Sequence, residues 1–263
     1  MPTETLDKSD KYTIRAVERS FQILDLFVQA ENPLTIQDIC KELEINPNMS
    51  FRMLATMVNA GYLVKDEKNG TYSVSLKMLQ LSRRALMSLD IRHVVMPYLD
   101  MLRLKYPKAN FNLAVLYLGD VIVVDRVDSQ NLPRTYFAPG KSLPFHATGL
   151  GKILTCELSE NDLDDLIAKK GLKAYTPNTI ISPEALKAEL EKIRKSFVSR
   201  DREEFIPQDN CNAVPLRDSS GSIIAAISIS AFESYMSVEE VEETIPVLSE
   251  TARNISYYLG YNS

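Results

Sequence analysis

Three groups of side chains in this 263-residue chain could do chemistry. The first is Asn48-Met49-Ser50-Phe51-Arg52. A guanidinium and a carboxamide within one helical turn suit base reading: Arg52 can pair with guanine, and Asn48 can bond to a base or phosphate. Arg19 and Lys68 would add phosphate contacts, which orient without specifying sequence. The second is His146-Ala-Thr-Gly-Leu-Gly-Lys152. Its Gly-x-Gly-Lys lacks the spacing of a Walker phosphate loop, so a nucleotide site is disfavoured. A tight turn into a helix start can still hold a small carboxylate. Lys152 reads equally as a solvated surface lysine. The third is Asp201, Cys211, Ser228 and Ser230. Two serines two residues apart in a strand share one face, here among Ile and Ala, which is the composition of a small-molecule site. The plain alternative is hydroxyls bonded to nearby backbone. Cys211 with His146 could serve as nucleophile and base, but no orienting acid is identifiable.

The elements around these groups follow from periodicity and caps. Val17, Phe21, Leu24 and Phe27 recur at helical spacing until Asn32-Pro33 ends the helix. Thr35 with Asp38 forms a capping box for a short second helix bearing Ile36, Ile39, Cys40 and Leu43. Cys40 reads as core filler. Asn46 as N-cap and Pro47 at the first position start a third helix, with Met53, Leu54 and Met57 inward, closed by Gly61. Two strands, 62–65 and 71–74, flank Asp66-Glu-Lys-Asn-Gly70, with Asn69-Gly70 as the turn signal. Three helices and a hairpin make a winged helix-turn-helix, although the helices alone would also suit a small bundle with a polar face. The spacing predicts a connector helix with Leu76, Leu79, Leu86 and Leu89 on one side and Lys77, Arg83 and Arg84 on another. A helix from Asp90 follows, with Val94, Tyr98 and Leu102 on one face and Pro97 as a kink or restart. His93 reads as a surface or packing residue.

Beyond Pro107 the pattern turns to strands at 111–118, 121–127, 134–138, 199–206, 212–217 and 222–231. Short helices are expected at 148–156, from Ser159 to Lys169, from Ser182 with Leu186, Leu190, Ile193 and Phe197, and from Ser237 to the end. This is an α+β pattern with a mostly antiparallel sheet. The expected division is 12–75 for the winged helix, 76–89 for the connector and 90–263 for the second domain.

Composition narrows the classes. Hydrophobic residues make up 45% and charged residues 25%, which supports a core and excludes whole-chain disorder. The longest apolar runs are too short to cross a bilayer. Met1 to Lys11 has no apolar signal core, and three scattered cysteines suit a reducing cytosol, so a cytoplasmic protein is expected. With two histidines and no ligand spacing, neither a metal nor another cofactor is expected. The net charge of −5 resides beyond residue 92: residues 1–92 carry 12 Lys and Arg against 12 Asp and Glu, whereas 93–263 carry 18 against 23. A neutral first part can bind DNA if its cations share a face, but a broad basic field is absent.

In order and spacing the chain resembles the IclR family of bacterial transcription regulators. The resemblance rests on Ala16-Val-Glu-Arg-Ser20, Leu34-Thr-Ile-Gln-Asp-Ile39, Phe51-Arg-Met-Leu54, Gly61-Tyr-Leu63 and Gly70-Thr-Tyr72. Further along it rests on Asp125-Arg-Val127, Leu143-Pro-Phe-His-Ala-Thr148, Gly151-Lys152, Tyr175-Thr-Pro-Asn-Thr179 and Cys211-Asn-Ala-Val-Pro215. It implies a winged helix followed by a GAF-like effector-binding domain. It also implies binding to double-stranded operator DNA as a homodimer or dimer of dimers, and a response to small organic acids or aromatic metabolites. Carried onto this chain, the effector-binding positions are Gly149, Leu150, Asp201, Cys211, Ser228 and Ser230. Two positions depart from the family pattern: Pro207-Gln-Asp209 replaces Pro-Gly-Val, and Leu150 replaces a small residue, narrowing the pocket. The rival readings are an enzyme using Cys211 and His146 under a regulatory amino-terminal domain, and a winged-helix module that binds another protein.

Overall fold

The computed structural model describes residues 13–87, 90–129 and 137–261. The chain divides into two compact units, Met1–Ser88 and Leu89–Ser263. In the first, α1 (Arg15–Gln29), β1 (Leu34–Thr35), α2 (Ile36–Leu43), α3 (Pro47–Asn59), β2 (Leu63–Asp66), β3 (Thr71–Val74) and α4 (Lys77–Met87) follow in order. The strands form a small antiparallel sheet ordered β1-β3-β2. Local chemistry sets the boundaries. The Thr35–Asp38 capping box opens α2, and the Asn46 side chain accepts from the Asn48 amide ahead of Pro47 to open α3. Gly61 at φ +80° lets the chain leave α3 without the strain a Cβ would bring.

The core of this unit is Ile23, Ile39, Ile45, Met53, Leu54, Met57, Leu63 and Tyr72. On α1 the fully buried residue is Ile23, whereas Val17 and Phe21 of the expected stripe are exposed. The wing turn also differs from a two-residue Asn-Gly hairpin. Gly70 has positive φ and Asn69 does not, and the Asp66 carboxylate accepts from the Lys68 and Asn69 amides. On α4, Leu79 and Leu81 are exposed, as is Leu76 before it.

The second unit continues with α5 (Asp90–Lys105), β4 (Asn110–Tyr117), β5 (Asp120–Val127), β6 (Ser142–Leu143), α6 (Gly149–Thr155), α7 (Glu160–Lys170), α8 (Pro183–Ser196), β7 (Ser199–Arg202), β8 (Asp209–Arg217), β9 (Ile223–Phe232), α9 (Val238–Glu242) and α10 (Ile245–Tyr258). One six-stranded antiparallel sheet has the order β6-β5-β4-β9-β8-β7. It is the α+β architecture expected, with several local corrections. The strand expected at 134–138 falls mostly outside the described residues. The inward face of α5 is Ile91, Val95, Leu99 and Leu102, rather than Val94 and Tyr98, and α5 runs unbroken through Pro97. The final helix is split after Glu242, with Pro246 in the first turn of α10. Phe197, expected on the inner face of α8, is its left-handed cap at φ 53° and stacks against the Arg217 guanidinium.

Candidate functional sites

The first site is the amino end of α3. Asn48, Met49, Phe51 and Arg52 are all exposed, because the Met53, Leu54 and Met57 side of the helix is held in the core. Arg52 and Asn48 line a groove of ≈ 620 Å³ shared with Ala16, Val17 and Ser20 of α1. Ser50 is a correction. It is fully buried and its hydroxyl accepts from the Cys40 thiol at 3.2 Å, so it joins α2 to α3 and offers no surface to DNA. Its helical position, one turn ahead of Leu54, puts it on the inward face. Arg19 is half-buried and donates to Gln22 Oε1 at 2.9 Å and to the Leu43 carbonyl at 3.4 Å, bracing α1 against the end of α2. Lys68 is exposed on the wing loop.

The second site is built by register in the six-stranded sheet. Cross-strand partners share a face. Asp201 pairs with Cys211, Cys211 with Ser230, and Ser230 with Asn110, forming one row across four strands. The adjacent row is Ser199, Ala213, Ser228 and Asn112. Every side chain in these rows is buried. Asn112 Nδ2 donates to Ser228 Oγ at 3.3 Å, and Ser228 also bonds to Cys211. Next along the strands come Ala114, Ala226 and Pro215, so the polar patch ends where the apolar core begins.

Helix α6 covers this face. A Cβ on Gly149 would meet Cys211 Sγ and Ala213 Cβ, each at 3.3 Å, and a Cβ on Gly151 would meet Phe145 backbone at 2.5 Å. Gly151 therefore allows backbone to approach backbone and Gly149 leaves room for the Cys211 and Ala213 side chains, which explains the Gly-x-Gly without any phosphate. Leu150 packs in the core cluster with Phe145 and Ile153, so its side chain is committed to the fold.

Lys152 is the clearest departure from expectation. It is 0% exposed, donates to Glu204 Oε1 at 2.5 Å and to the Arg200 carbonyl at 2.6 Å, and is no surface lysine. The Glu204 amide donates in turn to Asp201 Oδ1 at 2.8 Å. Thr176 and Thr179 donate to the Glu203 and Glu204 carbonyls at 2.6 Å, so the Tyr175–Thr179 segment clamps the loop that carries Glu204. Burial pushes the Asp201 carboxyl up to about 8, and burial alone pushes Asp209 up to about 7. Asp209, one of the two departures noted above, thus sits inside the fold rather than on its surface.

Cys211 and His146 do not form a nucleophile–base pair. Burial first, then Asp201 and Asp209, raise the Cys211 thiol well above its ordinary value, the opposite of an activated thiolate. His146 bonds through Nε2 to the Lys173 carbonyl at 3.0 Å and makes an edge-on contact with the Phe145 ring and a tilted one with Tyr175. Asn110, Asn112, Ser199 and Glu204 were not legible as site residues. The available signal was Asn110-Phe-Asn112, two amides at strand spacing in an apolar stretch.

An exposed helix tip beside a wing in one unit, and a closed polar patch beneath a helix in the other, define a helix-turn-helix regulator with a separate carboxy-terminal domain. The model of the IclR helix-turn-helix domain matches residues 16–67, and that of the bacterial transcriptional regulator IclR C-terminal domain matches residues 83–257. The chain belongs to the IclR family of bacterial transcriptional regulators. It is 29% identical over 246 residues to the HTH-type transcriptional repressor AllR of Klebsiella pneumoniae, covering 94% of this chain and 90% of that one. The crystal structure of the Thermotoga maritima IclR aligns with TM-score 0.68 at 26% identity, over 95% of this chain and 100% of the other. An IclR homolog complexed with 4-hydroxybenzoate from Microbacterium hydrocarbonoxydans has the same fold, with TM-score 0.75 at 24% identity over 93% and 98%. Among the described residues no helix is long and apolar enough to cross a membrane.

Proposed function

We propose that this regulator binds operator DNA through Asn48, Met49, Phe51 and Arg52 of α3, with Lys68 of the wing on phosphate. A small metabolite, an organic acid or an aromatic, would sit against Asp201, Cys211, Ser228 and Ser230 beneath Gly149 and Leu150. Leu150 contributes its backbone there, since its side chain is taken by the core. The ligand shifts operator affinity only by its difference in affinity for two states of the protein. The working division is 12–75 for DNA binding, 76–89 as connector and 90–263 for the effector. We read the chain as a cytoplasmic homodimer or dimer of dimers, since twofold proteins match palindromic operators. It is read as no enzyme, given the raised Cys211 thiol.

The observation that carries this reading is the two-row polar patch buried beneath α6, beside the apolar core. Buried polar groups of this kind require partners, and a bound metabolite supplies them. A gel-shift titration on the upstream intergenic DNA tests it, with and without candidate carboxylates and phenols, 4-hydroxybenzoate among them. Binding that one of these compounds alters is expected; absence of binding at low salt under every condition would overturn the reading. Arg52→Ala should lose about 1–3 kcal/mol of operator discrimination. Equal loss on random DNA would place Arg52 on phosphate instead.

A further inference from the structure

Within the buried polar patch, two carboxamides are each half satisfied. Asn110 Oδ1 accepts from the Ser129 amide at 3.1 Å, and its Nδ2 has no partner among the described residues. Asn112 Nδ2 donates to Ser228 Oγ, and its Oδ1 has no partner among the described residues. Both residues are 1% exposed. Each amide is thus held in orientation by one bond while its other atom is left over, a donor on Asn110 and an acceptor on Asn112. A buried polar atom without a partner is costly to the fold. The two atoms lie two residues apart on β4, in the rows that contain Ser230 and Ser228.

The charges on this face argue in the same direction. Lys152 is neutralised by Glu204, and the carboxyls Asp201 and Asp209 and the Cys211 thiol also lie beside the rows. Arg126, opposite Asn112 on β5, is paired with Asp128, so the charge at this end is already balanced. Asn110 and Asn112 add a neutral donor and a neutral acceptor.

We infer that Asn110 and Asn112 select the effector, admitting a molecule whose far end bears uncharged hydroxyl or amide groups and rejecting its plain hydrocarbon counterpart. This rests on the patch being the effector site. A ligand edge with hydroxyls can accept from Asn110 Nδ2 and donate to Asn112 Oδ1 at once. A hydrocarbon edge would leave both atoms unpaired in the complex as well. Sites built to hydrogen-bond a hydroxyl reject the analogue lacking it far more strongly than apolar pockets reject an extra methylene.

The experiment is calorimetric titration of the full chain with matched probes: gluconate against hexanoate, and 3,4-dihydroxybenzoate against benzoate. In the wild type the hydroxylated member of at least one pair should bind at least about tenfold more tightly. In Asn112→Leu and in the smaller Asn112→Ala that ratio should fall to near one. The melting temperature of ligand-free Asn112→Leu should equal or exceed that of wild type, because an unmatched acceptor has been removed. A ratio near one in the wild type, a ratio unchanged in the variants, or no binding of any probe would overturn the inference. So would a marked loss of stability in Asn112→Leu, which would show the amide to be structural. Operator gel shifts on the same samples separate the two claims. If wild type binds no DNA, the regulator reading falls while the titration still decides the role of the amides. If wild type and variants bind DNA alike and the ratio does not move, the assignment of Asn110 and Asn112 alone falls.

Discussion

At the scale of single residues, the second unit is organised by one buried ion pair. Lys152 and Glu204 lie 52 residues apart in sequence, and their pairing joins α6 to the loop after β7. Neither residue announces its burial, since a lysine next to a Gly-x-Gly is ordinarily solvated, and only the fold brings the partner. Lys152→Met would leave Glu204 buried without a counter-charge and should cost roughly 3–5 kcal/mol in denaturant unfolding. A loss below 1 kcal/mol would mean that Glu204 is readily hydrated. The neighbouring carboxyls predict a pH dependence. Asp201 and Asp209 have folded-state values raised to about 8 and about 7, above those of the unfolded chain. The folded state therefore holds protons that the unfolded chain has released, so stability is fully present below the unfolded value and is lost as pH rises through the folded one. The melting temperature should fall between about pH 5 and pH 8, and Asp201→Asn should flatten that fall. An identical profile in the variant would contradict the assignment.

At the scale of elements, caps and glycines made much of the fold readable. The Thr35, Asn46, Ser159, Ser182 and Ser237 caps all lie where the helices start. The exposed Arg52 followed from the α3 start, and the burial of Ser50 was legible from its place one turn ahead of inward Leu54, although its Cys40 partner on α2 was not. Likewise Asn112 meets Ser228 across 116 residues, so its half-satisfied state exists only once β4 and β9 are in register. The expected α5 face was one position off because Ile91 and Val95 give the same helical spacing as Val94 and Tyr98. The close approach of α6 to Phe145 gives a direct test: Gly151→Ala should destabilise the protein by about 1–3 kcal/mol, because the obstacle at 2.5 Å is backbone and cannot swing away. Thermal or urea unfolding reads this, and an unchanged midpoint would mean that the helix shifts freely. On the wing, Lys68→Ala should weaken operator and random DNA alike and reduce the salt slope by about 1. A loss confined to the operator would place Lys68 on a base.

At the scale of the whole molecule, the account joins two activities in one chain: reading DNA with a unit of balanced charge, and sensing a metabolite with an acidic one. With 12 basic against 12 acidic residues up to position 92, nonspecific attraction to DNA should be weak and operator affinity should depend on correct placement of the α3 tips. Affinity set by placement is open to control by a distant ligand. Linkage then requires reciprocity: a compound that changes operator affinity by some factor must have its own affinity changed by the same factor when DNA is bound. The decisive measurement is that pair of titrations, operator binding with and without saturating ligand and ligand binding with and without saturating operator. The account predicts equal factors of at least about fivefold in the two directions, both reduced to one in the Ser228→Ala, Ser230→Ala double variant. A ligand that binds this chain tightly yet leaves operator affinity the same would contradict it.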